Sequence, residues 1–158
     1  YLDLVGQFKE HSVRKEYRVL VYGKMQEADG RIETLLGRHP MERKKMAVVS
    51  KGGKPAVSRW RVETRWEEAS LLTVAIHTGR THQIRVHMQH LGHPLLSDSL
   101  YGGAPAFGLQ RQALHAFRLR LQHPITGQAL QFEAPPPSDL QTALSVMGLS
   151  MARAEAFS

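Results

Sequence analysis

The sequence predicts an α+β protein with a mixed, mostly antiparallel sheet flanked by short helices. Period-two extended segments recur through the chain and are clearest over residues 56–77. Helical periodicity is confined to short stretches near 1–8, 82–91 and 138–148. The order helix, strands, helix, strands, helix also lacks the steady alternation of a doubly wound α/β fold.

The opening YLDLVGQFKEH places Leu2, Val5 and Phe8 on one helical face. With no cap before it, this helix reads as cut, which predicts a piece of a longer protein. KEYRVLVYG is a strand of β-branched and aromatic residues ending at Gly23. MQEADG is a turn. Residues 31–55 alternate short extended pieces with a basic loop, and KGGKP is a second basic turn. In AVSRWRVETRWEEASLLTVAIH, Trp60, Val62, Thr64 and Trp66 alternate with Arg59, Arg61, Glu63 and Arg65. The return strand turns Leu72, Val74 and Ile76 one way, so the segment is a hairpin. The two tryptophans read as core residues before base-stacking ones.

Thr81 is the predicted N-cap of the next helix, which turns Ile84, Met88 and Leu91 inward and stops at Gly92 and Pro94. LLSDSLYGG and the residues after it form a loop. ALHAFRLRL and QALQFEAP are strands of a second hairpin joined by QHPITG. The final helix, SDLQTALSVMG, has Ser138 as its predicted N-cap and Leu140, Ala143, Leu144 and Met147 inward. Residues 1–148 are expected to form one unit and 149–158 a tail.

The 158 residues carry 21 Lys and Arg against 14 Asp and Glu, a net charge of +7. That excess suits a polyanion, and nucleic acid before a membrane surface, because the cations fall in strands and loops and not on an amphipathic helix. No apolar run has the length of a membrane span, no signal-peptide pattern is seen in these residues, and there is no cysteine. The cytoplasm is the expected compartment.

Chemistry concentrates in IHTGRTHQIRVHMQHLGHP, residues 76–94, with five histidines and two arginines. A metal site is disfavoured: His87, His90 and His93 are three apart, and neither a thiolate nor a carboxylate lies among them. Arg85 at the edge of the buried stripe demands an anion. Asp98 is the only acid nearby in sequence, and it reads first as a turn-closing residue. Arg80 and Thr81, leading into a helix N-terminus, are either placed to hold a phosphate or solvated.

TGRTHQIRVHMQHLGHPLLSDSLYGG resembles the arginine-bearing motif of the RluA-type pseudouridine synthases. RKEYRVLVYG resembles their tyrosine strand, and GKPAVSRWRV and ALHAFRLRLQHPITGQALQFEAPPP their next two blocks. GRHPMERKKMAV resembles the subgroup acting on a helix of large-subunit ribosomal RNA. The likeness spans about residues 1–148.

The resemblance implies isomerisation of uridine to pseudouridine in RNA, without metal or cofactor. The N1–C1′ bond breaks, the base turns, and C5 joins C1′. It implies Tyr17 as the tyrosine that packs on the base and removes a proton. Arg85 would be the arginine that pairs with an aspartate in a His-Arg-Leu-Asp motif. That motif is absent from these 158 residues, and Ser97-Asp98 stands where Gly-Asp is usual. The chain alone is therefore expected to be inactive, the alternative being a non-catalytic RNA-binding module. Lys15, Arg38, Arg43, Lys44, Lys45, Lys54, Arg80, Thr81 and His82 are the expected RNA contacts, with ribosomal RNA the partner. A truncated sheet edge would favour self-association.

Overall fold

In a computed structural model of the chain, residues 13–147 are described. The helix expected over the first residues and the expected tail lie outside them.

Seven strands form one sheet in the order β3-β2-β4-β5-β1-β6-β7, every neighbouring pair antiparallel. They are β1 (Arg14–Tyr22), β2 (Asp29–Arg38), β3 (Met46–Val49), β4 (Lys54–Arg65), β5 (Ala69–Ile76), β6 (Leu114–Gln122) and β7 (Ala129–Glu133). Helix α1 (Gln83–His90) covers one face, the front, and α2 (Ser138–Val146) the reverse. The α+β prediction therefore holds, with the sheet more uniformly antiparallel than expected.

Period-two alternation sorts side chains between the faces. On the front, Val19 and Val21 of β1 meet Leu72, Val74 and Ile76 of β5, Trp60 of β4, and Ile84 and Met88 of α1. On the reverse, Leu20 and Leu71 pack with Leu140, Ala143 and Leu144 of α2. β5 is buried along its whole length because it is central and covered on both sides.

Trp60 joins the front core as predicted, and Trp66 does not follow it. The β4–β5 register shifts between Val62 and Thr64. One extra residue inverts the alternation beyond it, so Trp66 packs on the reverse cluster. A second shift, opposite Glu16 and Tyr17, interrupts the β1–β6 pairing. There the fully buried Glu16 carboxylate meets Arg118 Nη1 at 2.8 Å and Arg14 Nε at 3.1 Å.

Both expected helix caps are corrected. His82, in the left-handed region at φ 56°, occupies the N-cap position of α1 without a side-chain cap bond, and Thr81 lies outside. Ser138 is the first helical residue of α2, and Pro137, with its fixed φ, precedes it as cap. The end of α1 is as read. Gly92, at φ +86°, donates to Gln89 O, and His93 donates to Met88 O, a Schellman closure. Leu91, expected inward, is 38% exposed, since the helix ends before it returns to the stripe.

Gly30 faces Trp60 across β2 and β4, and a Cβ there would land in the indole. Gly30→Ala is expected to cost about 1–3 kcal/mol of stability in a urea titration, with an unchanged slope.

Candidate active site

The site is built where α1 lies on β4 and β1. A line of buried polar groups fixes the helix there. Gln83 Nε2 donates to Val57 O at 2.9 Å and to Ser58 Oγ at 3.0 Å. Gln83 Oε1 accepts from the Thr78 hydroxyl at 2.8 Å and from Arg80 N–H at 3.2 Å. Ser58 Oγ lies 2.7 Å from His87 Nδ1, and Thr34 Oγ1 lies 2.9 Å from His87 Nε2. His87 is therefore fully buried with both ring nitrogens bonded to hydroxyls. Burial, helped by nearby His90, lowers its pKa from the ordinary 6.5 to about 4.

One turn away, Arg85 meets Asp98 side-on. Its Nε donates to Oδ2 at 3.0 Å and its Nη2 to Oδ1 at 2.8 Å. The Asp98 side chain is fully buried and that of Arg85 is 13% exposed. The anion that Arg85 requires is thus supplied by this chain, and Asp98 is an ion-pair partner before it is a turn-closing residue. Its carbonyl does close the turn, accepting from Tyr101 N–H and Gly103 N–H.

Asp98 is anchored from both sides of the sheet. Leu95 belongs to the front core and Leu96 to the reverse, and both are completely buried. Leu96 exchanges backbone bonds with Leu20 and Ala113, so this segment pairs along β1 beyond the end of β6. Ser97 takes φ 60°, a conformation glycine adopts at lower cost, and its hydroxyl accepts from Ala106 N–H at 3.1 Å.

The Tyr101 ring lies beneath this pair, with Arg85 Cζ 5.0 Å and Lys45 Nζ 5.8 Å from its centroid. Its hydroxyl accepts from Met46 N–H at 3.0 Å and lies 2.6 Å from His82 Nδ1.

In front of Arg85 is an open cleft of about 230 Å³. Lys15, Tyr17, Arg80, His82, Gln83 and Arg85 line it, with Ile76, Ile84 and Leu114 as its apolar wall. Burial raises the Tyr17 phenol above its ordinary pKa, and burial first, then Arg85, lowers that of His82. The Lys15 ammonium sits against the Gly79 turn, where a Cβ would come within 3.1 Å of it. The Arg80 guanidinium is held by β4, donating from Nε to Pro55 O at 2.8 Å.

Of the predicted site residues, Lys15, Tyr17, Arg80, His82 and Arg85 meet in this cleft, while Thr81 is exposed beside it. Arg38, Arg43 and Lys45 are engaged in their own loop: Arg38 donates to Arg43 O, Arg43 to His39 O, and Lys45 pairs with Glu42. Lys44 and Lys54 are apart from the cleft. Tyr101 and Gln83 lie within the motif that carries the family resemblance, but neither residue type by itself marks a role in the site. Among the described residues no three His, Asp or Glu side chains converge as a metal site.

The sign of the His87 shift sets a pH dependence. A histidine with a depressed folded-state pKa contributes stability that is complete above pH 6.5 and lost as pH falls toward 4. The lowered His82 acts in the same direction. About 2 kcal/mol is expected to disappear between pH 7 and 5 in urea unfolding, and His87→Asn should flatten most of that slope.

The RNA pseudouridylate synthase family matches this sequence over residues 2–90. The ribosomal large subunit pseudouridine synthase D of Neisseria meningitidis serogroup B is 44% identical over 93% of the chain and 42% of its own length. The protein of the same name from Nitrosomonas europaea is 42% identical over 92% of the chain and 44% of its own length. The solved structure of human RNA pseudouridylate synthase domain containing 1 superposes with a TM-score of 0.74 at 30% identity, covering 89% of this chain and 62% of that one. The chain spans a little under half the length of those two bacterial relatives. With most of the motif residues gathered around one cleft, this chain belongs to the RNA pseudouridylate synthase family.

Proposed function

We propose that this chain supplies the tyrosine–arginine half of an active site that isomerises uridine to pseudouridine in large-subunit ribosomal RNA, in the cytoplasm. The observation that carries the reading is the Arg85 guanidinium fixed on Asp98 in the cleft that Tyr17 also lines. Asp98 takes two of the five N–H donors of Arg85. Three remain, enough to receive a second carboxylate, the aspartate of a His-Arg-Leu-Asp segment that these residues do not contain. Asp98 then positions the arginine, and the incoming aspartate is the nucleophile.

Tyr17 stacks on the base. In the rearrangement the C5 proton is lost and N1 gains one. The phenol can accept that proton only as phenolate. Burial disfavours the phenolate, raising the phenol above its ordinary pKa. Lys15 and Arg80, with the basic loop residues Arg38, Arg43, Lys44, Lys45 and Lys54 and with Thr81 beside the cleft, hold the RNA backbone, and His82 meets the RNA inside the cleft. Among the described residues β7 is an edge strand, with Phe132 56% exposed, where a second copy would add, and a single monomeric species in sedimentation would remove that suggestion.

Replacing the matching segment of the Neisseria relative with this chain tests the reading. The chimera is expected to form pseudouridine in transcribed ribosomal RNA, read by carbodiimide-blocked primer extension. Arg85→Lys should lower the rate at least about a hundredfold, because a point charge cannot hold two carboxylates in a fixed fork. This chain alone should bind the RNA without modifying it, with affinity falling steeply as salt rises. A folded, RNA-binding chimera without activity favours the non-catalytic module, and modification by this chain alone overturns the need for a second acid.

A further inference from the structure

The geometry assigns Tyr101 as a positioning residue that fixes His82 as the Nε2–H tautomer, making it an uncharged hydrogen-bond donor for a carbonyl oxygen of the target base. This rests on the uridine-isomerising reading for its ligand, though not for its proton arrangement.

That arrangement follows from counting protons around one phenol. Tyr101 is 2% exposed, so its single proton needs a protein acceptor. One lone pair of its oxygen already receives Met46 N–H. Among the described residues, the one acceptor within reach of the hydroxyl is His82 Nδ1, at 2.6 Å. The proton therefore points at Nδ1, which must be bare. A neutral imidazole with a bare Nδ1 carries its proton on Nε2. If Nδ1 donated instead, the phenol proton would be stranded in the interior. Charging the ring would strand it too, next to the Arg85 guanidinium. The lowered pKa of His82, caused by burial and then by Arg85 against the opposing pull of Asp98, agrees with a neutral ring.

The other ring nitrogen is spare. No described residue bonds His82 Nε2, and the ring lines the cleft beside Tyr17 and Arg85. A non-glycine residue at φ 56° is held there at some cost, and edge-on contact with the Tyr101 ring, at 84° and 5.4 Å, fixes the ring plane. Lys15 and Arg80 already offer the cleft full positive charge suited to phosphate. A neutral donor in the same cleft suits a neutral acceptor. Uracil presents such a carbonyl oxygen at its 4-position, where cytosine presents an amino donor. His82 would therefore favour uracil over cytosine at the reacting position.

Long-range nitrogen–proton correlation spectra of the chain with ¹⁵N-labelled histidine read the tautomer directly. The expected wild-type spectrum has His82 Nε2 protonated and Nδ1 bare at pH 7. Tyr101→Phe should give mixed tautomers and an upward-moved His82 titration. A wild-type His82 protonated on Nδ1 or on both nitrogens overturns the proposal, whether or not any variant folds. In the chimera, Tyr101→Phe is expected to lower kcat about 3- to 10-fold, the value of one neutral hydrogen bond. His82→Gln, which keeps an N–H donor, should be more active than His82→Leu. Equal activity of those two removes the base contact while leaving the tautomer result standing. An inactive parent chimera counts against the isomerase reading and leaves the spectra to decide the proton arrangement.

Discussion

The Arg85–Asp98 ion pair is the constraint around which the candidate site is arranged. Taking a carboxylate and a guanidinium out of water costs several kcal/mol each, and only good geometry returns it. The geometry here is side-on and two-pronged, at 2.8 and 3.0 Å. That requires two chain segments to be placed to within fractions of an ångström. Arg85 is placed by α1, which Gln83 and His87 bind to β4 through hydroxyls and a backbone carbonyl. Asp98 is placed by Leu95 and Leu96, each buried in a different core. The pair therefore couples both faces of the sheet to one point in the cleft.

Polar burial recurs for the same purpose elsewhere. Ser58 accepts from Gln83 and hydrogen-bonds His87 Nδ1, and the other ring nitrogen of His87 hydrogen-bonds Thr34. Each partner satisfies the next, which is the condition under which a buried network orders a site and does not weaken it. On the reverse, Glu16 between Arg14 and Arg118 secures β1 against β6 where their register slips. β1 carries Lys15 and Tyr17 on its front, so this charge cluster lies behind the strand that lines the cleft.

Much of this was legible in the sequence. Alternation in 56–77 identified β4 and β5, and the Gly92–Pro94 stop marked the end of α1. The demand of Arg85 for an anion followed from its place on a buried stripe. Its partner was harder to read, because Asp98 lies thirteen residues away in a loop and an isolated loop aspartate first suggests a turn. Trp66 was misplaced because a bulge leaves no mark in an alternating pattern. Thr81 and Ser138 carry the residue types of caps, while the backbone places His82 and Pro137 there, the second because proline presets φ. Tyr101 has no signal beyond its place in the same motif and loop as Asp98.

A double-mutant cycle on Arg85 and Asp98, followed by urea unfolding of the chain, measures the coupling itself. Arg85→Met and Asp98→Asn are each expected to cost about 3 kcal/mol, since each strands a buried partner. The double variant should cost little more than either, giving a coupling of about 2–3 kcal/mol. Costs that simply add, to within about 0.5 kcal/mol, would show that the two side chains do not hold one another and that the cleft is ordered by something else.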